Sequence, residues 1–257
     1  MPDVDVSGLD RGKTQTALPG MRRMTTLRSI YRRVRRAVRR AIGQDLHFPI
    51  QASVPAKRHG SEYGGWWLCP QGLDSGSVVY SVGIGTDITF DLSLIETYGV
   101  TVHAFDPTPG SIAYVKEQQL PSGFKWHALG VAGRDGPAMF FPPTNPKHIS
   151  HTLLYRAATS SRGIQVEVRR LSMIMHDLHH KRIDVLKMDI EGAEYEVLDE
   201  ILDSGLTVRQ ILVEFHHRFP GVGIDRTRRA VNDLNAAGYR IFFASESGEE
   251  YSFILTR

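Results

Sequence analysis

The chain has 257 residues, of which 41% are hydrophobic and 23% charged, and its formal net charge is +3. This composition is typical of a soluble globular protein, and no apolar run is long enough for a membrane span or a signal-peptide core. The single cysteine excludes an intramolecular disulfide, which favours a cytoplasmic location.

Charge is distributed unevenly along the chain. Residues 21–42 contain nine arginines and no acid, which leaves 22 basic against 28 acidic residues elsewhere. Apolar residues recur there at helical steps: Met24, Leu27, Ile30, Val34, Val38 and Ala41. This pattern predicts a basic amphipathic helix over 21–45, which could lie on an anionic membrane surface or an acidic partner, or be a solvated extension. Because the remaining body is acidic, we expect no nucleic-acid partner.

Strands and helices alternate from residue 77 onward. SVVYSV, VTVHAF and FKWHALGV predict three strands, and RIDVLKMDI and TVRQILVEFHH predict two more. Strands separated by helices of about ten residues indicate βαβ units and a mostly parallel sheet with helices on both faces. GPAMFFPP and GIQVEVRRL predict a small β insertion after the third strand, and RIFFAS with EEYSFILT predicts a C-terminal antiparallel hairpin.

These patterns divide the chain into four predicted segments. The polar residues 1–20 predict a disordered leader. The basic helix occupies 21–45, and an N-terminal cap segment occupies 46–76. Residues 77–257 form a single α/β domain.

The ends of the first three strands predict a nucleoside site, because ligands bind at the carboxyl edge of a parallel sheet. Glycines in SVGIGTD let the backbone approach a ligand, and an acid at the end of the second strand can accept hydrogen bonds from ribose hydroxyls. Main chain and small side chains in WHALG could hold an adenine edge. The predicted site comprises Gly83, Gly85, Asp106, Pro107, His127 and Ala128.

Two residues of the first turn favour S-adenosylmethionine over NAD. Ile88 stands where the dinucleotide fingerprint has its third glycine. Asp87, at the start of the following helix, would repel a pyrophosphate but tolerate a sulfonium or an amino group. An NAD-dependent oxidoreductase remains the less favoured alternative.

VLKMDIEGAEYEVL, residues 185–198, resembles the signature of the FkbM-type methyltransferases. VHAFDPTP and HALGVAGRDG precede it in the family's order. The resemblance implies a class I fold with a seven-stranded Rossmann-like sheet. It also implies methyl transfer from S-adenosylmethionine to a hydroxyl of a sugar, polyketide, glycolipid or other small molecule. Ser81 departs from the family, whose glycine motif begins with an acid, and Asp87 replaces the motif's last glycine and could supply the missing carboxylate.

Three polar residues at the ends of the fourth and fifth strands are the candidate catalytic groups. Because an imidazole titrates near neutral pH, His216 is the predicted base, and Asp189 would orient it or accept the proton itself. Glu214 lies beside them. Asp189 could also contact the donor. Together the three could instead bind Mg²⁺ or Mn²⁺, but no close ligand spacing requires a metal and none is expected.

The remaining substrate candidates are Trp66, Trp67, His148, His151, Glu191 and His217. The tryptophans could form a wall of the pocket or a hydrophobic plug at the sheet edge. The histidines of TNPKHISHT could reach the acceptor or belong to an ordinary loop, and those of EFHHR could be a solvated strand end. A catalytically silent nucleoside-binding or membrane-associated protein is the main alternative to an enzyme.

Overall fold

The computed structural model describes residues 27–142, 151–153 and 157–256. The predicted leader and the candidate substrate residue His148 lie outside them. The described helices are α1 (Leu27–Ala41), α2 (Thr89–Tyr98), α3 (Pro109–Lys116), α4 (Leu171–Asp177), α5 (Glu194–Asp203) and α6 (Ile224–Ala236), with a short 3₁₀ helix at Ala157–Arg162. Within the described part of the chain, no helix has the length and hydropathy of a bilayer span.

The described strands form one large sheet and two small ones. They are β1 (Lys57–His59), β2 (Trp66–Leu68), β3 (Val78–Val82), β4 (Thr101–Phe105), β5 (Phe124–His127), β6 (Gly130–Val131), β7 (Gly136–Phe140), β8 (Ile164–Arg169), β9 (Ile183–Met188), β10 (Val208–Glu214), β11 (Tyr239–Ala244) and β12 (Glu250–Leu255). The seven-stranded sheet has the order β11-β12-β10-β9-β3-β4-β5. Six of these strands run in the same direction, and β12 runs in the opposite direction. The predicted Rossmann-like α/β fold and the C-terminal hairpin are therefore confirmed.

Helices cover both faces of the large sheet. Successive strand side chains point to opposite faces, so Val79 and Val102 pack on the α2 side while Tyr80 and Leu186 pack on the side of α4, α5 and α6. Burial on both faces explains the continuous apolar strand sequences. Each fully buried aliphatic side chain contributes roughly 1.5–3 kcal/mol, so these two layers fix the sheet that carries the site.

The prediction for the third strand was wrong in one respect. FKWHALGV forms two strands, because the chain turns where the amide of Leu129 donates to the carbonyl oxygen of His127 at 2.8 Å. Strand β5 pairs with β4 in the large sheet, whereas β6 pairs with β8, which also pairs with β7. The β insertion is confirmed, with three strands in the order β6-β8-β7.

The segment before the large sheet is tied to it by packing and by buried charge. Strand β2 contributes Trp66 and Leu68 to the core that also contains Phe90 and Leu94 of α2. Closer to α1, the buried carboxylate of Asp45 binds the ring of His217 and the guanidinium of Arg218, both at 3.0 Å. The N-terminal segment thereby contacts the loop after β10.

Candidate active site

A cavity of about 720 Å³ lies at the carboxyl edge of β3, β4, β9 and β10. This is the edge at which an open parallel sheet binds its ligands, and the volume lies in the range of small-molecule sites. Residues from the turns after β3 and β4 line one end, which we call the donor end. Residues from the turn after β9 and from the end of β10 line the other, which we call the acceptor end.

At the donor end, the carboxylate of Asp106 is held by backbone and hydroxyl donors. Its Oδ2 accepts from the amide of Gly85 at 3.0 Å, and its Oδ1 accepts from the amide and hydroxyl of Thr108 at 2.9 and 2.7 Å. A carboxylate oxygen can accept two hydrogen bonds, so Oδ2 keeps a lone pair for a ligand hydroxyl. The chain thus fixes the orientation of the predicted ribose-binding acid.

Asp87, the other predicted acid of the donor end, also has partners within the chain. Its carboxylate accepts from Ser61 Oγ at 2.6 Å and from the amide of Thr89 at 2.9 Å. Burial opposes the charge of Asp87, but these hydrogen bonds outweigh it and hold the pKa of Asp87 below its usual value. Asp87 lines the cavity, yet its bonds join the loop before β2 to the start of α2.

A buried carboxyl that the sequence reading missed lies beneath the donor end. Asp91, on the first turn of α2, is 1% exposed and lines the cavity with Ser81. Ser81 Oγ and Asp91 Oδ1 are both buried, and within the described residues neither makes a hydrogen bond of standard geometry. Burial raises the pKa of Asp91 to about 6, although the adjacent hydroxyl of Ser81 and the charge of Lys187 act to lower it. Asp91 is thus a buried carboxyl beside Ser81 at the donor end of the cavity.

The acceptor end brings together the three predicted catalytic residues. One ligand atom each of Asp189, Glu214 and His216 lies within 4.8 Å of the others. His216 Nε2 is 3.6 Å from Asp189 Oδ1 and 3.9 Å from Glu191 Oε2. Strands β9 and β10 are neighbours and parallel, so their carboxyl ends converge as predicted.

Glu194, at the start of α5, holds this cluster in place. Its Oε1 accepts from the amide of His216 at 2.9 Å and lies 3.2 Å from Nδ1 of the same residue. Its Oε2 accepts from the amide of Gly192 at 2.8 Å. Since Nδ1 faces Glu194, Nε2 is the ring nitrogen directed toward Asp189.

Negative charge crowds the acceptor end. Burial and the carboxylate of Asp189 raise the pKa of Glu214 well above its usual range. Burial acts to lower the pKa of His216, but the hydrogen bond and charge of Glu194, with Asp189 and Glu191, raise it to about 10. The surrounding carboxylates therefore favour the protonated form of His216 when no ligand is bound. For His216 to act as the predicted base, this proton must leave first.

The structure separates the other candidate residues into two groups. Pro107, Trp66, His151 and Glu191 line the cavity, as do the predicted donor residues Ser81, Gly83, Gly85, Asp87 and Asp106. The cavity lining does not include Trp67, His127, Ala128 or His217. Their predicted contacts with donor or acceptor are therefore not supported by this placement.

Packing explains where each of these four residues lies instead. The ring of Trp67 stacks on Phe243, with centroids 5.3 Å apart. His127 stacks on Phe105 and His103 on the opposite side of the sheet from α2. Ala128 is exposed at the turn where β5 leaves the sheet. The side chain of His217 is fully buried against Asp45.

Residues 79–241, well over half of the chain, match the family described as the methyltransferase FkbM domain. The chain belongs to the FkbM methyltransferase family. The suspected relationship is thus confirmed, and the chain is placed among methyltransferases. Membership implies S-adenosylmethionine as the methyl donor.

Similar proteins agree with this assignment in sequence. The chain is 28% identical over 175 residues to a probable methyltransferase-like protein 24 of Homo sapiens. The aligned region covers 64% of this chain and 41% of that protein. The Rattus norvegicus protein of the same name is 29% identical over 176 residues, covering 64% and 42%. The chain therefore spans about two fifths of the length of these curated relatives. Among solved structures, an FkbM methyltransferase from Methylobacillus flagellatus gives a TM-score of 0.44 at 12% identity, covering 71% of this chain and 44% of that one.

The donor end of this FkbM domain fits S-adenosylmethionine. Asp106 keeps a lone pair that a ribose hydroxyl could use, and the buried oxygens of Ser81 and Asp91 could accept hydrogen bonds from an amino group. Gly110 also lines the cavity, and a Cβ atom placed there would meet nothing within 4 Å. The cavity thus has polar acceptors and space where a nucleoside with an amino-acid tail requires them.

Proposed function

We propose that this FkbM methyltransferase is an O-methyltransferase that acts on a hydroxyl of a small molecule or a glycan. The observation that carries the proposal is the cavity itself, which joins a nucleoside-binding end to a cluster of proton acceptors. An enzyme that moves a methyl group to a hydroxyl needs both within one enclosed space, because the reacting atoms must be aligned and the hydroxyl proton must leave.

The residues divide the work between the two ends. S-adenosylmethionine, when bound, would supply an electrophilic methyl group. Asp106 would hold its ribose hydroxyls, while Ser81 and Asp91 would hold its amino group. The acceptor hydroxyl would lie against Asp189 and His216, so that its proton passes to the acceptor-end cluster as the new C–O bond forms. The bond between the methyl group and the donor's sulfur would break in the same step, leaving S-adenosylhomocysteine. Because the surrounding carboxylates favour the protonated form of His216, Asp189 would be the first proton acceptor of the pair.

Calorimetry with S-adenosylhomocysteine and with NAD tests the donor assignment. We expect micromolar binding of S-adenosylhomocysteine alone, and a loss of roughly tenfold or more in Asp106→Ala, because the variant leaves ribose hydroxyls without a charged partner. Binding of neither ligand would support the silent-protein alternative. Unchanged affinity in Asp106→Ala would contradict the ribose assignment.

A screen of acceptor extracts with labelled donor tests the chemistry. Asp189→Asn and His216→Ala should both reduce methyl transfer when compared with the unmodified chain at equal donor occupancy. Activity equal to that of the unmodified chain in both variants would refute the acceptor-end assignment. Labelled product that is stable to base, as an ether is and an ester is not, would support transfer to a hydroxyl rather than to a carboxylate.

We further propose that α1 holds the enzyme on an anionic membrane surface. The helix exposes an apolar row in which Ile30, Val34 and Val38 are 46%, 57% and 54% exposed. Arg33 and Arg36 pair instead with Glu246 of the β11–β12 turn. At about 100° per residue, Arg36 lies on the opposite side of the helix from the apolar row, and Arg33 lies at the row's flank. An apolar row flanked by arginines and directed away from the body suits the headgroup region of an anionic bilayer.

Vesicle sedimentation of the full chain tests this second proposal. We expect binding to phosphatidylserine vesicles, little binding to phosphatidylcholine vesicles, and loss of binding in the triple variant Ile30→Ser, Val34→Ser, Val38→Ser. This variant is preferable to a deletion through residue 45, because Asp45 contacts His217 and Arg218. Equal binding to both vesicle types, or full binding by the triple variant, would contradict the proposal.

A further inference from the structure

We propose that Asp189, Glu214 and His216 form a binding site for a divalent cation of the Mg²⁺ or Mn²⁺ type. The three residues offer two carboxylate oxygens and one imidazole nitrogen within 4.8 Å of one another. This spacing allows a single ion to contact all three, and oxygen ligands with one imidazole suit these ions. No ion is expected from the spacing in sequence alone. The site arises because β9 and β10 end side by side.

The three ligand atoms are not occupied by bonds to one another. His216 Nε2 lies 3.6 Å from the nearest oxygen of Asp189, which is beyond hydrogen-bond distance. The side chain of His216 is nevertheless 8% exposed, so its nitrogen is both well buried and directed at the cluster. The ring nitrogen thus faces the carboxylates of Asp189 and Glu191 at ion-pair distance, where a bound cation would take the place of its proton.

Glu194 supplies the support that metal-binding histidines require. It accepts from two backbone amides and lies 3.2 Å from His216 Nδ1, so Nδ1 is the nitrogen that carries hydrogen toward Glu194. A cation bound at the cluster would displace the proton from Nε2, which then supplies the lone pair. A carboxylate that fixes the tautomer and orientation of a ligating histidine is a recurrent partner of metal sites.

A second carboxyl lies beside Glu214 on the neighbouring strand. Glu214 of β10 lies directly opposite Glu250 of β12 in the sheet register. Two ionised carboxylates in such a pair repel each other. Glu250 lines the same cavity as Glu214, so a cation bound at the cluster would also offset this pair.

The ion would act in the reaction only if the proposed methyl transfer is correct. The three ligands come from one wall of the cavity, which leaves coordination positions on the open side. An acceptor with a hydroxyl, and above all one with two adjacent oxygens such as a vicinal diol or a catechol, could coordinate there. Coordination would position that oxygen beside the methyl donor and favour loss of its proton.

Titration of the full chain with Mn²⁺ in the absence of donor tests the site, with free Mn²⁺ followed by electron paramagnetic resonance. We expect one saturable site that Mg²⁺ competes for. Glu214→Gln and His216→Ala should each weaken binding by roughly tenfold or more. Asp106→Asn is the matched control, because it neutralises a carboxylate at the donor end of the same cavity and should leave Mn²⁺ affinity within about twofold. Thermal unfolding of each variant confirms that it is folded.

The outcomes separate this inference from the proposed function. Absence of saturable Mn²⁺ binding, or unchanged affinity in both Glu214→Gln and His216→Ala, would overturn the metal site. If such a chain still bound S-adenosylhomocysteine and transferred methyl groups, the proposed function would stand without the ion. A chain that bound Mn²⁺ but not S-adenosylhomocysteine would keep the metal site and lose the proposed function. Methyl transfer that EDTA abolishes and Mn²⁺ restores would support both.

Discussion

Two neighbouring turns both contain residues with positive φ, but the residues differ. The glycine turn, residues 82–88, follows β3, and the signature turn, residues 189–193, follows the adjacent parallel strand β9. The glycine turn adopts positive φ at Gly83 (73°) and Gly85 (56°), whereas the signature turn does so at Glu191 (54°) and Gly192 (105°). Only the signature turn places a side chain in the left-handed region.

The difference shows what each turn is built for. Glycine lets the first turn lie against its neighbour and against a ligand with no side chain between them. The left-handed conformation costs a residue such as Glu191 on the order of 1 kcal/mol or more, and it persists where the surrounding structure holds it. Its carboxylate lines the cavity 3.9 Å from His216 Nε2, so a charge is retained at a position where glycine would be easier to place.

Substitution of Gly83 should break the contact between the two turns and have the largest effect. The amide of Asp189 donates to the carbonyl oxygen of Val82 at 3.1 Å. A methyl group on Gly83 would overlap the carbonyl oxygen of Asp189 and lie 2.8 Å from its carbonyl carbon. Since this obstacle is backbone and φ is 73°, Gly83→Ala should lower the free energy of unfolding by about 4 kcal/mol, measured by urea denaturation.

Gly110→Ala is the control for that measurement. Gly110 lines the same cavity, but its Cβ would meet nothing within 4 Å, and its φ is not positive. The added methyl group should leave stability unchanged or raise it by up to about 1 kcal/mol. A Gly83→Ala variant as stable as Gly110→Ala would show that the two turns do not need their close contact.

The acids that follow the two turns sharpen the comparison. Glu194 and Asp91 both lie on the first turn of the next helix and are 0% and 1% exposed. Glu194 accepts from the amides of Gly192 and His216, whereas Asp91 Oδ1 has no hydrogen-bond partner in the described chain. The signature turn therefore holds its buried acid with donors, and the glycine turn leaves part of its own for a ligand.

Asp91→Asn should change how stability depends on pH. Burial raises the pKa of Asp91 to about 6, while the Ser81 hydroxyl and Lys187 on β9 oppose the shift and Asp87 adds to it. The folded chain then binds the proton more tightly than the unfolded chain, so stability falls as pH rises from about 4 to about 6. Above that window Asp91→Asn should be the more stable by roughly 3 kcal/mol.

Urea denaturation of both chains at a series of pH values from about 4 to about 8 would measure this difference. The difference should grow in favour of the asparagine variant as pH rises and become constant above about pH 7. A difference that does not vary with pH would mean that the carboxyl of Asp91 finds a partner. Donor binding should oppose the effect, because an amino group at Asp91 would stabilise its charge.

The sequence predicts the sheet and the strand-end acids well, because both depend on local pattern. Apolar strand residues followed by a polar residue mark the carboxyl edge, and Asp106, Asp189 and Glu214 all lie there. Pleat alternation could also have excluded His217 from the cavity, since Glu214 and His216 share one side and the next residue points away. Its partner Asp45 is 172 positions away, a distance that no local pattern spans.

Other parts of the site depend on tertiary contacts. Glu250 reaches the cavity through the register of β12 against β10, which a hairpin pattern does not give. Asp91 lies on the inner face of an apolar helix, although an acid in such a helix is usually predicted to face solvent. Glu194 could be placed at a helix start, where negative charge is favoured, but its bond to His216 joins two separate strand ends. Such contacts are properties of the folded chain.

A pair of substitutions at Glu191 should have the smallest effect on stability. Together they separate the contribution of the backbone conformation from that of the carboxylate. Glu191→Gly and Glu191→Ala both remove the carboxylate, but only glycine adopts the 54° φ of this position at no steric cost. The glycine variant should therefore be the more stable of the two by about 1 kcal/mol in urea denaturation. Both should lose methyl transfer to the same extent if the carboxylate serves the acceptor end. Equal stability of the two variants would show that the left-handed conformation at Glu191 is not strained. Normal activity in both would show that methyl transfer does not need the carboxylate of Glu191.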